Sequence, residues 1–335
     1  MIFPRADIAD LRRKNTTDFV WYRICRIFIY YKMDFTLKIY TQLLKALQTE
    51  GYSFQSFNDF IKHPVKKVVV LRHDVDKLPE NSLIFAQIQH KLGIKGSYFF
   101  RIVPQSFDEK IIEEIAGMGH EIGYHYEDLS LTAGSMKNEK LKIKNDDECS
   151  RILFERGIES FQRNLETFRK IAPVKTICMH GSPWSKYDNR LLWKYYDYRD
   201  FGIIGEPYLD IDFTEVLYLT DTGRRWDGER VSVRDKAIGG RRRAEGIDSF
   251  KDWVVKPKPG SLTNMTEKGI EFQSRYNFRS TNDIIRVAEN SELPDKVMMT
   301  FHPQRWHDKP LPWIRELVMQ NLKNVVKRTL ISIRK

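Results

Sequence analysis

The sequence predicts an α/β fold in which parallel strands, joined by helices, form one barrel-like domain behind a helical extension. Three observations predict it. From residue 68 onward, short apolar runs alternate with amphipathic helical stretches, the pattern that places helical crossovers between parallel strands. Chemistry-bearing polar residues fall just after several of these runs, and the carboxyl ends of parallel strands gather distant side chains on one face. The composition, 41% hydrophobic and 30% charged over 335 residues, excludes a disordered or collagen-like chain.

In chain order, Leu37, Tyr40, Leu43, Leu44 and Leu47 recur at three- and four-residue spacing and predict a helix that stops at Gly51. A short helix begins near Ser56 or Asn58. Residues 68–71 (VVVL) suit a strand buried on both faces. Then follow a helix over 80–92, a strand over 96–101 (GSYFFR), a helix over 108–118 ending at Gly119, and a strand over 120–125 (HEIGYH). A helix over 158–171 is closed by Pro173, and a strand covers 175–179. Further strands are expected at 201–204, 216–219 and 297–301, and a terminal helix at 312–330. Residues 221–260, rich in Gly, Arg and Lys, read as a long irregular excursion. The division expected is a helical extension over 1–64 and a barrel domain over 65–335.

Several function classes drop out. No run of about 18 apolar residues exists, so no transmembrane helix is expected. The first residues lack the apolar core of a signal peptide, which points to the cytoplasm. The stretch 20–31 (VWYRICRIFIYY), interrupted by Arg23 and Arg26, reads as a packed helix, with a segment lying in a membrane interface as the alternative. Cys25, Cys149 and Cys178 form no CxxC pair and read as free thiols. The net charge of +11 is spread along the chain without a nucleic-acid-binding module, so no nucleic-acid partner is expected. The charge fits an anionic sugar, a nucleotide-sugar or peripheral contact with a membrane surface.

The candidate site lies at the strand ends: Asp74 and Asp76 after the first strand, His125 at the third, His180 after the fourth, His302 after the last. Carboxylate and imidazole without thiolate suit Zn²⁺, or a redox-capable or cobalt-type divalent ion, in an open site. Residues i and i+2 of a strand share a face, so Asp74 and Asp76 both face the pocket. If one is a ligand, the other is free to act as general base. His302 can protonate a leaving group or steady an oxyanion. Asp221 ends another strand and is read as orienting Asp74, His302 or the sugar. Trp184, Trp226 and Trp306, in predicted rim loops, offer aromatic faces to a sugar ring. Arg305 and Arg72 offer charge to an anionic substrate group. His73, turned away by alternation, and His120, at the start of its strand, read as structural.

The Asp-x-Asp of residues 74–76, the segment 119–125 (GHEIGYH) and the apolar strand running into His302-Pro303 resemble the polysaccharide deacetylase family, the NodB-homology carbohydrate esterases. The resemblance spans roughly 66–303. It implies a distorted (β/α) barrel of about seven parallel strands and metal-dependent removal of an N- or O-acetyl group from a sugar. It also implies that Asp74 is the catalytic base, Asp76 the metal-binding aspartate, His125 the first metal-binding histidine and His302 the general acid. The chain departs from the family where a second metal histidine should follow His125 by four residues, since position 129 is Leu129. The Arg-x-Pro motif after the fourth strand is replaced by Met179-His180-Gly181-Ser182-Pro183, and the first motif is Asp-Val-Asp without adjacent aspartates. His180 is the favoured third ligand, with Glu127 the rival and no third protein ligand the remaining option.

The expected function is a metal-dependent hydrolase that removes an acetyl group from an N-acetylated sugar. That sugar would be nucleotide- or lipid-linked, or part of an oligosaccharide, on the way to a surface polysaccharide or glycolipid. The alternatives are an inactive carbohydrate-binding or assembly protein on the same fold, or another C–N amidohydrolase.

Overall fold

The structure, a computed structural model, describes residues 33–138, 146–181, 187–226 and 267–333. The aromatic stretch 20–31, most of the 221–260 excursion, and Trp184 lie outside the described residues.

The elements in order are α1 (Leu37–Thr49), β1 (Ser53–Gln55), α2 (Phe57–Lys62), β2 (Val68–Val75), α3 (Pro79–Lys91), β3 (Ser97–Phe100), α4 (Glu109–Gly117) and β4 (Glu121–Tyr126). They continue through α5 (Asp128–Asn138), α6 (Asp146–Arg169), β5 (Ile177–Met179), α7 (Pro207–Asp210), β6 (Leu217–Thr220), α8 (Glu267–Ser274), α9 (Thr281–Glu289), β7 (Lys296–Phe301) and α10 (Pro310–Ile333). Helix starts follow side-chain chemistry. Thr36, Ser56, Asp108 and Ser280 each accept a backbone N–H three residues on, at the first turns of α1, α2, α4 and α9. Each thereby satisfies a donor that the helix itself leaves orphaned.

Every strand pair is parallel, in the order β5-β4-β3-β2-β7-β6. Among the described residues no pairing joins β5 to β6, so the sheet is an arc, a half-barrel open between its two edges. Residues 53–55, read from sequence as part of a helical preface, instead form β1 and pair with Val68–Val70. The length of β2 makes this possible. With β7 along one edge, its other edge is shared by β1 at the lower end and β3 from Arg72 upward. The strand expected at 201–204 is another correction. A 3-10 turn over Tyr198–Phe201 ends at Gly202 with φ +70°, and only Gly205 bridges to Thr176. The left-handed glycine breaks the extended run.

Side chains of the arc alternate between two apolar layers. Val69, Leu71 and Val75 of β2 face the outer helices, packed with Tyr40, Leu43 and Leu47 of α1. Val68 and Val70 face inward with Phe99, Cys178 and Met298, and α2 contributes Phe57 and Phe60 to that layer. Gly123 on β4 is required here, because an added Cβ would lie 2.4 Å from the Phe99 ring. The inner layer is therefore a packed floor, and polar residues begin above it.

Candidate metal centre and its polar surround

Each strand from β2 to β7 delivers a polar side chain at its carboxyl end: Asp74 and Asp76, Arg101, His125 and Glu127, His180, Asp221, and His302. The structure brings the sequence-predicted trio together. Ligand atoms of Asp76, His125 and His180 all lie within 4.8 Å of one another. Asp76 Oδ1 stands 3.6 Å from His125 Nε2 and 3.5 Å from His180 Nε2. Four-coordinate zinc with bonds of about 2.0–2.1 Å needs donor-to-donor edges of roughly 3.4 Å, which the two separations from Asp76 match.

The hydrogen bonds around the trio prepare the same atoms. His125 Nδ1 donates to the Cys178 carbonyl at 2.9 Å, and His180 Nδ1 donates to Glu127 Oε2 at 2.8 Å. Both rings are thus left with Nε2 as a lone-pair donor. Asp76 is held by three contacts: its N–H donates to the Asp74 carbonyl, its carbonyl accepts from Arg101, and its Oδ2 accepts from Gln304. Its Oδ1 is buried with no hydrogen-bond partner. An orphaned carboxylate oxygen facing two imidazole nitrogens is the observation that a divalent cation explains. Two residues on, Leu78 takes φ 54°, a conformation that costs a non-glycine residue energy and concentrates at functional loops.

Glu127, the rival ligand, is occupied otherwise. Its Oε1 accepts from Arg101 Nε at 2.7 Å and Nη2 at 2.6 Å, and its Oε2 takes the His180 proton. Burial pushes its pKa up, but His180 and Arg101 outweigh this and hold it below the usual carboxylate value. It orients His180. Leu129, where the resemblance calls for a histidine, is fully buried in the core, and an added Cβ on Gly157 of α6 would lie 3.3 Å from its Cδ1.

Asp74 is separated from the ligand role by Arg72. The guanidinium donates from Nε to Oδ1 at 2.8 Å and from Nη2 to Oδ2 at 2.6 Å, with Arg72 1% exposed. Burial raises the Asp74 pKa, and the charge of Arg72, then of His125, reverses that and keeps it below the ordinary value. Asp74 Oδ2 remains 3.9 Å from His125 Nε2. Asp74, His125 and Cys178 also cluster within 4.8 Å. That set is less suited to an ion, since Arg72 holds both Asp74 oxygens and burial pushes the Cys178 thiol well above its usual pKa.

On the far rim, His302 Nδ1 meets Asp221 Oδ1 at 2.5 Å, and its backbone N–H donates to Asp221 Oδ2 at 2.9 Å. Arg305 and Trp306 donate to the same carboxylate. Burial raises the Asp221 pKa, and His302 and Arg305 more than compensate, leaving it lowered. Asp221 is completely buried. It therefore holds His302 from behind, leaving Nε2 as the imidazole's open position, and Arg305 is spent on bracing it. Arg72, offered above to an anionic substrate, is buried and gives two of its nitrogens to Asp74. Trp226 and Trp306, expected as sugar-stacking rim residues, are 4% and 1% exposed within the aromatic core around Phe35 and Phe301. His73 and His120 are buried, with ring nitrogens bonded to the Ser97 and Ala86 carbonyls.

Sequence reasoning missed Arg101 and Gln304. Arg101 ends GSYFFR, so the same rule that singled out the histidines, a polar residue at a strand's carboxyl end, applies to it too. Gln304 carries no comparable signal. Among the described residues no helix is long and apolar enough to cross a membrane. The chain matches no protein-family model, no curated protein and no solved structure.

Proposed function

We propose that this protein is a metal-dependent deacetylase of N-acetylated sugars, a divergent member of the NodB-homology family with its half-barrel completed into a distorted barrel. The observation that carries the reading is one rim where a two-histidine, one-carboxylate donor set stands beside an Arg-held carboxylate and an Asp-held imidazole. Asp76, His125 and His180 would hold the cation. Three nitrogen and oxygen donors without thiolate suit Zn²⁺ and leave a position open, as catalytic sites require. Such an ion, when bound, polarises a carbonyl and favours deprotonation of water.

The chain's own groups supply the remaining steps. Asp74, kept ionised by Arg72, accepts the proton of the attacking water. Each carboxylate oxygen has two lone pairs, so the bidentate Arg72 contact fixes its direction without exhausting it. His302, oriented by Asp221, delivers a proton to the departing amine. Water and amide thereby become acetate and an amino sugar. The positive charge of the chain, +11, suits nucleotide- or lipid-linked precursors of a surface polysaccharide or glycolipid, handled in the cytoplasm.

The test is elemental analysis of chelator-free protein together with assays for released acetate and ammonia on N-acetylated sugars. Stoichiometric divalent metal with acetate release is expected. Metal with ammonia release would make it a different C–N amidohydrolase. Absence of metal and of both products would leave a binding or assembly protein and overturn the hydrolytic mechanism.

A further inference from the structure

The rim opens into a cavity of about 270 Å³ whose walls include Asp76 and His180 together with Gln304, Lys77, Glu316 and Lys323. Two features of these walls describe a ligand. The first is Gln304, which is 2% exposed. Its amide nitrogen donates to Asp76 Oδ2 at 3.0 Å, so the amide's orientation is set, and its Oε1 is buried without a donor. An acceptor in this state is satisfied by a hydroxyl or N–H group, of water or of a cavity ligand, that a small side-chain shift of the wall admits.

The second feature is charge. The arginines of the cavity wall, Arg101 and Arg305, are neutralised at short range by Glu127 and Asp221. The lysines are held less closely. Lys77 Nζ has its nearest carboxylate, Glu316, at 3.8 Å and is 42% exposed. Lys323 has no ion pair among the described residues. Lys77 and Lys323 thus stand against the two carboxylates of this wall, Glu316 and Asp76, and a cation held by Asp76 would leave the wall with an excess of positive charge. Ammonium groups of this kind bind phosphate as point charges.

We infer that this cavity binds a phosphorylated sugar, with Gln304 Oε1 accepting a sugar hydroxyl next to Asp76 while Lys77 and Lys323 hold the phosphoryl group. Placing an N-acetyl group on that sugar rests on the deacetylase reading; the anion subsite itself does not. A sugar monophosphate and a diphosphate-linked carrier present the same chemistry to the lysines.

The experiment is calorimetric titration of the full-length, metal-loaded protein with N-acetylglucosamine, N-acetylglucosamine 1-phosphate and uridine diphosphate N-acetylglucosamine, with metal content measured for every variant. The phosphorylated ligands are expected to bind about tenfold or more tightly than the plain sugar. The Lys77→Ala/Lys323→Ala double variant should bring all three within about twofold while keeping its metal, and Glu316→Gln should tighten the phosphorylated ligands about threefold. Preference for the monophosphate over the diphosphate carrier, or the reverse, identifies the source. Equal affinity for plain and phosphorylated sugar overturns the inference, as does absence of saturable binding. A phosphate preference that survives the double substitution also overturns it, because the anion then sits on the metal. Failure of the deacetylase reading would look different: phosphate preference intact, with no acetate released.

Discussion

The two faces of β2 are built from the same kinds of residue and arrive at opposite ends. On the outer face, His73 is closed in. Its Nδ1 pairs with the Ser97 carbonyl at 3.0 Å, its Nε2 lies 3.2 Å from Tyr40 Oη and 2.8 Å from Gln89 Nε2, and its ring stacks on Tyr98 at 4.2 Å. On the inner face, Arg72 and Asp74 form a bidentate pair, but Asp76 Oδ1 and the Nε2 atoms of His125 and His180 face one another while both Nδ1 atoms are engaged elsewhere. An imidazole whose two nitrogens both find partners within the chain belongs to a core. Polar groups that keep lone pairs aimed at a common point make a site.

Changes on the inner face carry the largest effects. Asp74→Asn should lower acetate release by roughly 10²–10⁴-fold, the usual worth of a general base, and leave metal content unchanged. Asp76→Ala or His180→Ala should instead yield protein without stoichiometric metal. Retained metal in either variant, read by elemental analysis, would remove that residue from the ligand set.

The outer face is tested by acid. Burial drives the His73 pKa down to about 3 and that of His120 to about 4, whereas both titrate near 6.5 once unfolded. Between those values the unfolded chain binds the extra protons. The stability they contribute is therefore complete above about pH 6.5 and lost as pH falls toward 4. At about 1.4 kcal/mol per pKa unit, the two rings cost several kcal/mol between pH 7 and pH 4.5, while Glu206 and Asp128, pushed up by burial to about 7 and about 6, act in the opposite direction. The histidine share is read as a difference: the urea midpoint of His120→Gln should fall less over this range than that of the unchanged protein, and parallel curves would mean that the ring is not sealed in.

Smaller effects sharpen the boundary between core and site. Leu129→His places an imidazole in a fully buried apolar position. It should cost about 2–4 kcal/mol in denaturant unfolding without tightening metal binding; a gain in metal affinity would show that position 129 can reach the ion. Glu127→Gln should weaken metal affinity by about 10–100-fold through His180, the range for groups that orient a ligand. Titration with a competing chelator measures it.

Much of this arrangement was legible in residue order. The periodicity of residues 37–47 and the runs at 68–71, 120–125 and 297–301 announced α1, β2, β4 and β7, because burial on a sheet or helix face imposes its spacing on the chain. The strand-end rule brought Asp76, His125 and His180 to one rim. What stayed hidden depended on pairing choices. β1 is too short to show a period. Arg72 read as available charge because nothing in the sequence reveals that its fork closes on Asp74 two residues away. Trp306 read as a rim aromatic because its burial depends on Tyr40, Phe85 and Phe301 from three other elements.

By itself, then, the sequence determined which residue types stand at the ends of which strands, since alternation and apolar periodicity are local consequences of backbone geometry. Only the tertiary structure decided which of those groups neutralise one another and which remain open. Hydrogen bonds and ion pairs act over about 3–4 Å, and such distances between residues as remote as Asp76 and His180, or Asp221 and His302, exist only once the arc has formed.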